Sequence, residues 1–196
     1  VKRSEINELH YIAPIENVPS ILVNGVVCNT RAKTIPHVSI AMEEVQERRA
    51  HRRVPGGHPL HSYANLYFTA RNPMLYRRRA NHRDLAILRV DPSILDLPDV
   101  VIADGNASSD YTRFYPSPIG LSNLNEELVF ADYWTDNDLI AYWNKKRIKC
   151  SEVLVLDQVD PSLIMGSHVS CRESELKLLE LGVTHPIDIM PWLFFM

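Results

Sequence analysis

Long apolar stretches are missing from this sequence of 196 residues. No run approaches the roughly 18 consecutive apolar residues that a membrane-crossing helix needs, so no membrane association is expected. The opening Val1-Lys2-Arg3-Ser4-Glu5 also lacks the apolar core of a secretory signal. Cysteine is scarce, with Cys28, Cys150 and Cys171 widely spaced and odd in number. They form neither a disulfide framework nor a CxxC metal signature, which points to a reducing, cytoplasmic setting. No Gly/Ser linker, low-complexity tract or internal repeat divides the chain, so one domain over 1–196 is expected. The absence of GxGxxG argues against a Rossmann dinucleotide site, and the absence of GxxxxGKS/T against a P-loop. His51, His58 and His61 lie close in sequence without zinc-type spacing, and no metal is expected.

What is present is a globular composition, 45% apolar, with a net charge of −3. That charge excludes a strongly basic coat, yet the basic residues bunch. They gather at Arg48-Arg49-Ala50-His51-Arg52-Arg53, at Arg77-Arg78-Arg79 and at Lys145-Lys146-Arg147-Ile148-Lys149. Such runs are commonly solvated faces, but they also suit a phosphate-bearing ligand on an acidic body.

The patterning predicts an α+β chain. A strand ends near His10-Tyr11-Ile12, and a helix follows over 15–24, where Gly25 supplies the stop. Ser39 is expected to cap a helix from Ile40 to about Arg52. Strands are expected at Leu66–Thr69, Ala86–Val90 and Val100–Ala103, and a buried one at Glu152–Leu156. Pro161 to Met165 reads as a short helical turn and Glu173 to Leu181 as a helix ended by Gly182. The apolar tail Trp192-Leu193-Phe194-Phe195 is expected to pack back onto the core.

Glu152 is the leading candidate for chemistry. A carboxylate at the mouth of a buried strand is rigidly held and can still face a cleft, although a strand-end ion pair is the plainer reading. His10 and Tyr11 could bind a ligand or pack as a half-buried polar pair. Arg48 and Arg49 could clamp phosphate or lie on an exposed helix. Tyr67, Phe68 and Met74 could stack on a base or belong to the core. His10, Arg48 and Glu152 together would also serve a metal-free ribonuclease.

Taken in order, these segments resemble the DarT family, the DNA ADP-ribosyltransferase toxins of bacterial toxin–antitoxin pairs. The resemblance rests on Leu9-His10-Tyr11-Ile12-Ala13, Gln46-Glu47-Arg48-Arg49, Tyr63, Tyr67 through Leu75, Asp104-Gly105, Tyr111-Thr112-Arg113-Phe114, Asp132-Tyr133-Trp134, and Lys145 to Val155. It implies an ADP-ribosyltransferase-like mixed β core with flanking helices, using NAD as a substrate. It implies that Glu152 and Arg48 are catalytic and that His10, Ala13, Arg48, Tyr67 and Phe68 contact NAD. Arg49, Met74, Lys145 and Lys146 would meet single-stranded DNA, and an ADP-ribose-removing antitoxin would be the partner. The acceptor base would be guanosine or thymidine, and Ala13 and Asn106 lean slightly to guanosine. RNA- or protein-directed transfer and a non-catalytic single-strand-binding module stay open as alternatives.

Overall fold

The computed structural model describes residues 1–196. Ten strands form, in chain order, at β1 Leu9–Pro14, β2 Val26–Val27, β3 Tyr63–Tyr67, β4 Leu85–Val90 and β5 Val101–Ala103, then β6 Phe114–Pro116, β7 Glu152–Leu156, β8 Gln158–Val159, β9 Ile164–Val169 and β10 Ile187–Ile189. Seven helices join them: α1 Val18–Asn24, α2 Asn29–Ala32, α3 Glu43–Ala50, α4 Pro73–Arg78, α5 Glu126–Phe130, α6 Leu139–Ile148 and α7 Arg172–Glu180. Eight strands make one mixed sheet in the order β10-β9-β4-β1-β3-β7-β5-β6, while β2 and β8 pair separately. No helix is long and apolar enough to cross a membrane.

The sheet is hinged at its middle. β1 and β4 pair antiparallel along all of β1, from Leu9–Val90 to Pro14–Leu85. β3 and β7 pair along all of β3, from Tyr63–Leu156 to Tyr67–Glu152. Between these two halves, β1 and β3 share the single register pair His10–Tyr67. Past that pair the halves separate, and residues of both strands face a common cleft. One apolar core nevertheless spans the hinge, packing Leu9, Leu66, Val90, Ile102 and Val153 from five strands. Each such buried aliphatic contributes roughly 1.5–3 kcal/mol, which makes the frame of the cleft stiff.

The local rules explain most of the elements. β7 is an apolar run flanked by β3 and β5, and Val153 and Leu154 are fully buried. The Asn72 side chain accepts from the Met74 and Leu75 amides and so starts α4, with Pro73 at its first position. Asp138 does the same for α6 through the Ala141 amide. α1 stops at Gly25, which takes a φ of 77° that other residues adopt at a cost.

Three expectations are corrected. The helix expected from Ile40 begins at Glu43, because the Ser39 hydroxyl accepts only from the Ala41 amide and caps nothing further along. The strand expected at Leu66–Thr69 runs over Tyr63–Tyr67, and Asn72 holds the Thr69 carbonyl in the turn that leads into α4. The segment read as a turn at Pro161–Met165 turns helical for only three residues, then enters β9. The tail does pack back, with Phe194 fully buried against Ile12, Leu75 and Ile87.

Candidate active site

The separation of the sheet halves leaves a cleft of about 1210 Å³, somewhat larger than the roughly 300–1,000 Å³ typical of small-ligand sites. Tyr11, Ile12 and Pro14 line it from β1, and Tyr63, Ala64, Asn65 and Tyr67 from β3. Glu152 closes the deep end and is only 1% exposed.

A register row sets Glu152 in place. Ala103, Glu152, Tyr67, His10 and Arg89 are successive cross-strand partners over β5, β7, β3, β1 and β4. Cross-strand partners share a face, and neighbouring strands lie about 4.8 Å apart, so this row is a rigid ruler. Arg49 Nη1 donates to Glu152 Oε2 at 2.9 Å and to Oε1 at 3.3 Å. The Ala107 amide donates to Oε1 at 2.9 Å. These donors compensate the desolvation of a carboxylate that is almost wholly withdrawn from solvent.

The Ala107 amide is held by a braced loop between β5 and β6. Arg147 Nη1 pairs with Asp104 at 3.0 Å, and the Asn106 amide donates to the Arg147 carbonyl at 2.9 Å. Arg52 reaches across to Asp110 and to the Ser109 carbonyl. A Cβ on Gly105 would stand 2.9 Å from Arg147 Cγ and 3.0 Å from Thr112 Oγ1, so only glycine lets the loop lie this close. Sequence reasoning missed Ala107, Arg52 and Arg147. The Asp104-Gly105 turn signal marked the loop, but no pattern showed that an amide would point at Glu152.

The predicted site residues divide by where they point. Arg48 and Arg49 both reach the cleft, in different roles. Successive helical residues diverge by about 100°, so burying Arg49 on α3 leaves Arg48 exposed, with its Nε on the Glu44 carbonyl. The arginine paired with Glu152 is therefore Arg49. Tyr67, Met74 and Lys146 line the cleft, and Lys146 Nζ sits 4.7 Å from the Trp143 ring centre. Four residues do not line it. His10 lies at the hinge, where β1 is still paired, and its Nε2 meets Glu8 at 2.9 Å. Ala13 is fully buried and does not line the cleft. Phe68 belongs to the core beside Leu66, and Lys145 turns outward to Asp136 at 2.8 Å.

Burial and charge tune the neighbours. Burial, followed by the Glu152 charge, raises the Tyr67 hydroxyl well above its usual range, so it stays protonated. Burial pushes the Cys150 thiol up to about 12, which excludes it as a nucleophile near neutral pH. One wall of the cleft is aromatic. Tyr76 and Trp134 meet edge-to-face at 5.7 Å, and Phe195 packs on both, at 5.0 and 6.1 Å. Arg71 fixes that tail residue, its guanidinium 4.1 Å from the Phe195 ring centre and 4.5 Å from that of Trp192.

The arrangement combines a fixed carboxylate, cationic walls and flat rings, and suits a large anionic ligand that carries an aromatic group. A mixed sheet opened over such a cleft, with an acid heading a central strand, is the architecture of the ADP-ribosyltransferase class. The family model described as "ssDNA thymidine ADP-ribosyltransferase, DarT" matches residues 10–195. The chain belongs to the DarT family.

Its relatives include the DNA ADP-ribosyl transferase–DNA ADP-ribosyl glycohydrolase fusion protein of Thermosipho africanus. That protein is 35% identical over 201 residues, covering 96% of this chain and 50% of the fusion. The chain thus spans about half the length of that relative. A DNA ADP-ribosyl transferase of Thermus sp. 2.9 is 30% identical over 144 residues, covering 67% of this chain and 68% of the relative. Among solved structures, Thermosipho africanus DarTG in complex with ADP-ribose superposes with a TM-score of 0.83 at 31% identity, covering 97% of this chain and 51% of that one. Thermus sp. 2.9 DarT in complex with ADP-ribosylated ssDNA gives 0.81 at 25% identity, covering 96% of each chain.

Proposed function

We propose that this chain transfers ADP-ribose from NAD to a base of single-stranded DNA, with thymidine as the first acceptor to test. The observation that carries the reading is Glu152, fixed at the cleft floor by Arg49 and the Ala107 amide. The family description and the Thermus complex with ADP-ribosylated ssDNA support the substrate class. Guanosine, to which Ala13 and Asn106 leaned in the sequence, keeps only Asn106, because Ala13 does not reach the cleft.

The cleft fits NAD on two grounds. Its volume accommodates a dinucleotide, and Arg48 and Arg78 offer guanidinium groups to phosphates where no glycine-rich loop exists. When bound, NAD supplies the ADP-ribosyl group and nicotinamide as leaving group. The ribose–nicotinamide C–N bond breaks, a bond forms from the sugar carbon to a base nitrogen, and that nitrogen loses a proton.

The protein's share of the work is positioning and charge. Glu152 presents a fixed negative charge to the sugar carbon as it becomes electron-poor, and its carboxylate can take the proton from the incoming base. Arg49 keeps that carboxylate from rotating. Tyr67 stays a neutral hydroxyl beside it, a potential hydrogen-bond donor to the bound ligand. Lys146 and Trp143 on α6, with Met74 on α4, would guide a single strand and stack its bases, and a base free of a duplex can enter such a cleft.

Because one relative joins a transferase to a glycohydrolase, we infer a partner of the same chemistry that removes the modification. The test is incubation with labelled NAD and separate pools of single-stranded DNA, RNA and protein. Label on DNA with stoichiometric nicotinamide release is expected, and Glu152→Gln is expected to lower the rate on the order of 10²–10³-fold. Label confined to RNA or protein, or strand cleavage without NAD consumption, would replace this reading. Homopolymers identify the base, since a strand without the acceptor stays unlabelled.

A further inference from the structure

A second polar cluster lies outside the cleft, on the other side of the hinge. Glu8 precedes β1, His10 sits at its second position, and His168 projects from β9, with β4 between them. Glu8 Oε1 meets His10 Nε2 at 2.9 Å and His168 Nε2 at 3.1 Å, and the three atoms lie within 4.8 Å of one another. Both rings are buried, at 8% and 7% exposure, while the Glu8 side chain is 24% exposed and leaves a path from solvent.

We infer that Glu8, His10 and His168 form a zinc-binding site that ties β1 to β9 across β4. The ligand set is two imidazole nitrogens and one carboxylate oxygen, which zinc accepts at about 2.0–2.1 Å with water completing a tetrahedron. Tetrahedral ligands at that length stand roughly 3.3 Å apart, so the carboxylate-to-ring spacings of 2.9 and 3.1 Å open by only tenths of an ångström.

The surroundings provide what a metal site needs behind its ligands. The other oxygen of Glu8 is fixed by Arg89 Nε at 2.7 Å, which orients the first oxygen towards the rings. Asp188 Oδ2 lies 3.7 Å from His168 Nδ1, in place to receive its proton when Nε2 binds metal. Two carboxylates against one guanidinium leave the cluster net negative, which offsets part of an added cation's charge. Without a metal, both rings donate to one oxygen and both Nδ1 atoms are buried acceptors lacking a partner. A metal takes the Nε2 lone pairs directly and turns each Nδ1 into a donor, one of which faces Asp188.

The inference is independent of the proposed transfer reaction, since none of these residues lines the cleft. The tag-free 196-residue chain, stripped with chelator, would be titrated with zinc chloride against a chromophoric competitor, and retained zinc counted by mass spectrometry after gel filtration. One equivalent is expected for the native chain. The thermal midpoint should rise by roughly 5–10 °C at zinc a hundredfold above the dissociation constant. His168→Ala should lose at least about a hundredfold in affinity with its circular dichroism intact, and Asp188→Asn about tenfold. His58→Ala, in a loop away from the cluster, should keep one equivalent. Should His168→Ala fail to fold, cobalt on the native chain decides, because tetrahedral coordination gives strong visible bands that zinc bleaches. No retained zinc, equal retention by His168→Ala, or an octahedral cobalt spectrum would overturn the inference and leave an ion-pair network alone.

Discussion

Arg49 and Glu152 hold each other at 2.9 Å in a place where their side chains are only 8% and 1% exposed. A pair of this kind is judged by what happens when one member is removed, because the other is left charged in a dry environment.

Arg49→Ala is therefore expected to cost roughly 3–5 kcal/mol in urea unfolding and to abolish transfer. Arg48→Ala, on the exposed neighbour, should stay within about 0.5 kcal/mol of the native chain. If Arg48 contacts NAD phosphate, its variant raises KM and leaves kcat nearly intact. Equal stability losses in the two variants would contradict the assignment of the buried partner.

Gly105→Ala tests the loop that carries the Ala107 amide. The added methyl meets Arg147 and Thr112, so a loss of about 1–3 kcal/mol is expected. Transfer should fall further than stability explains, because the loop shifts a donor away from Glu152. Nicotinamide release measured well below the melting temperature separates the two effects.

Lys149 gives the chain a pH signature. It is 2% exposed, its Nζ donates to the Val129 carbonyl, and burial lowers its pKa from 10.5 to about 8. Between those values the unfolded chain binds more protons than the folded one, so stability from this group rises as pH climbs through that window. Chemical denaturation at successive pH values should show the rise, and Lys149→Met should flatten it.

The three thiols should react in a fixed order. Burial works to raise the Cys171 thiol, but hydrogen bonds from Ser174 and Ser170 outweigh it and the net shift is downward. Cys28 and Cys150 are buried. Brief alkylation near pH 8 followed by peptide mass analysis should find the label on Cys171 first. Early label on Cys150 would mean that the base of β7 opens more readily than its packing implies.

The course of these elements was legible wherever one local rule dominated. β7 announced itself as an unbroken apolar run, and α7 ended where Gly182 allowed it. β9 did not, because Gly166, Ser167 and His168 break the apolar alternation while pairing with β4 supplies the order. The site followed the same division. Glu152 could be chosen from its position at the head of β7, whereas the choice between Arg48 and Arg49 depends on helix phase, which the misplaced start of α3 concealed. His10 was drawn towards the cleft by its neighbours in sequence. Its ring instead meets Glu8, which also holds His168 from β9, a contact between strands far apart in the chain.

The aromatic wall has a bearing on how the protein comes into being. Tyr76 and Trp134 leave the ribosome well before Phe195, the ring that wedges them together, and early segments can fold while later ones are still being made. The aromatic wall therefore stays unbraced until translation has passed that residue. A chain that stopped short of Phe195 would keep the cleft but lose the packing behind one of its walls.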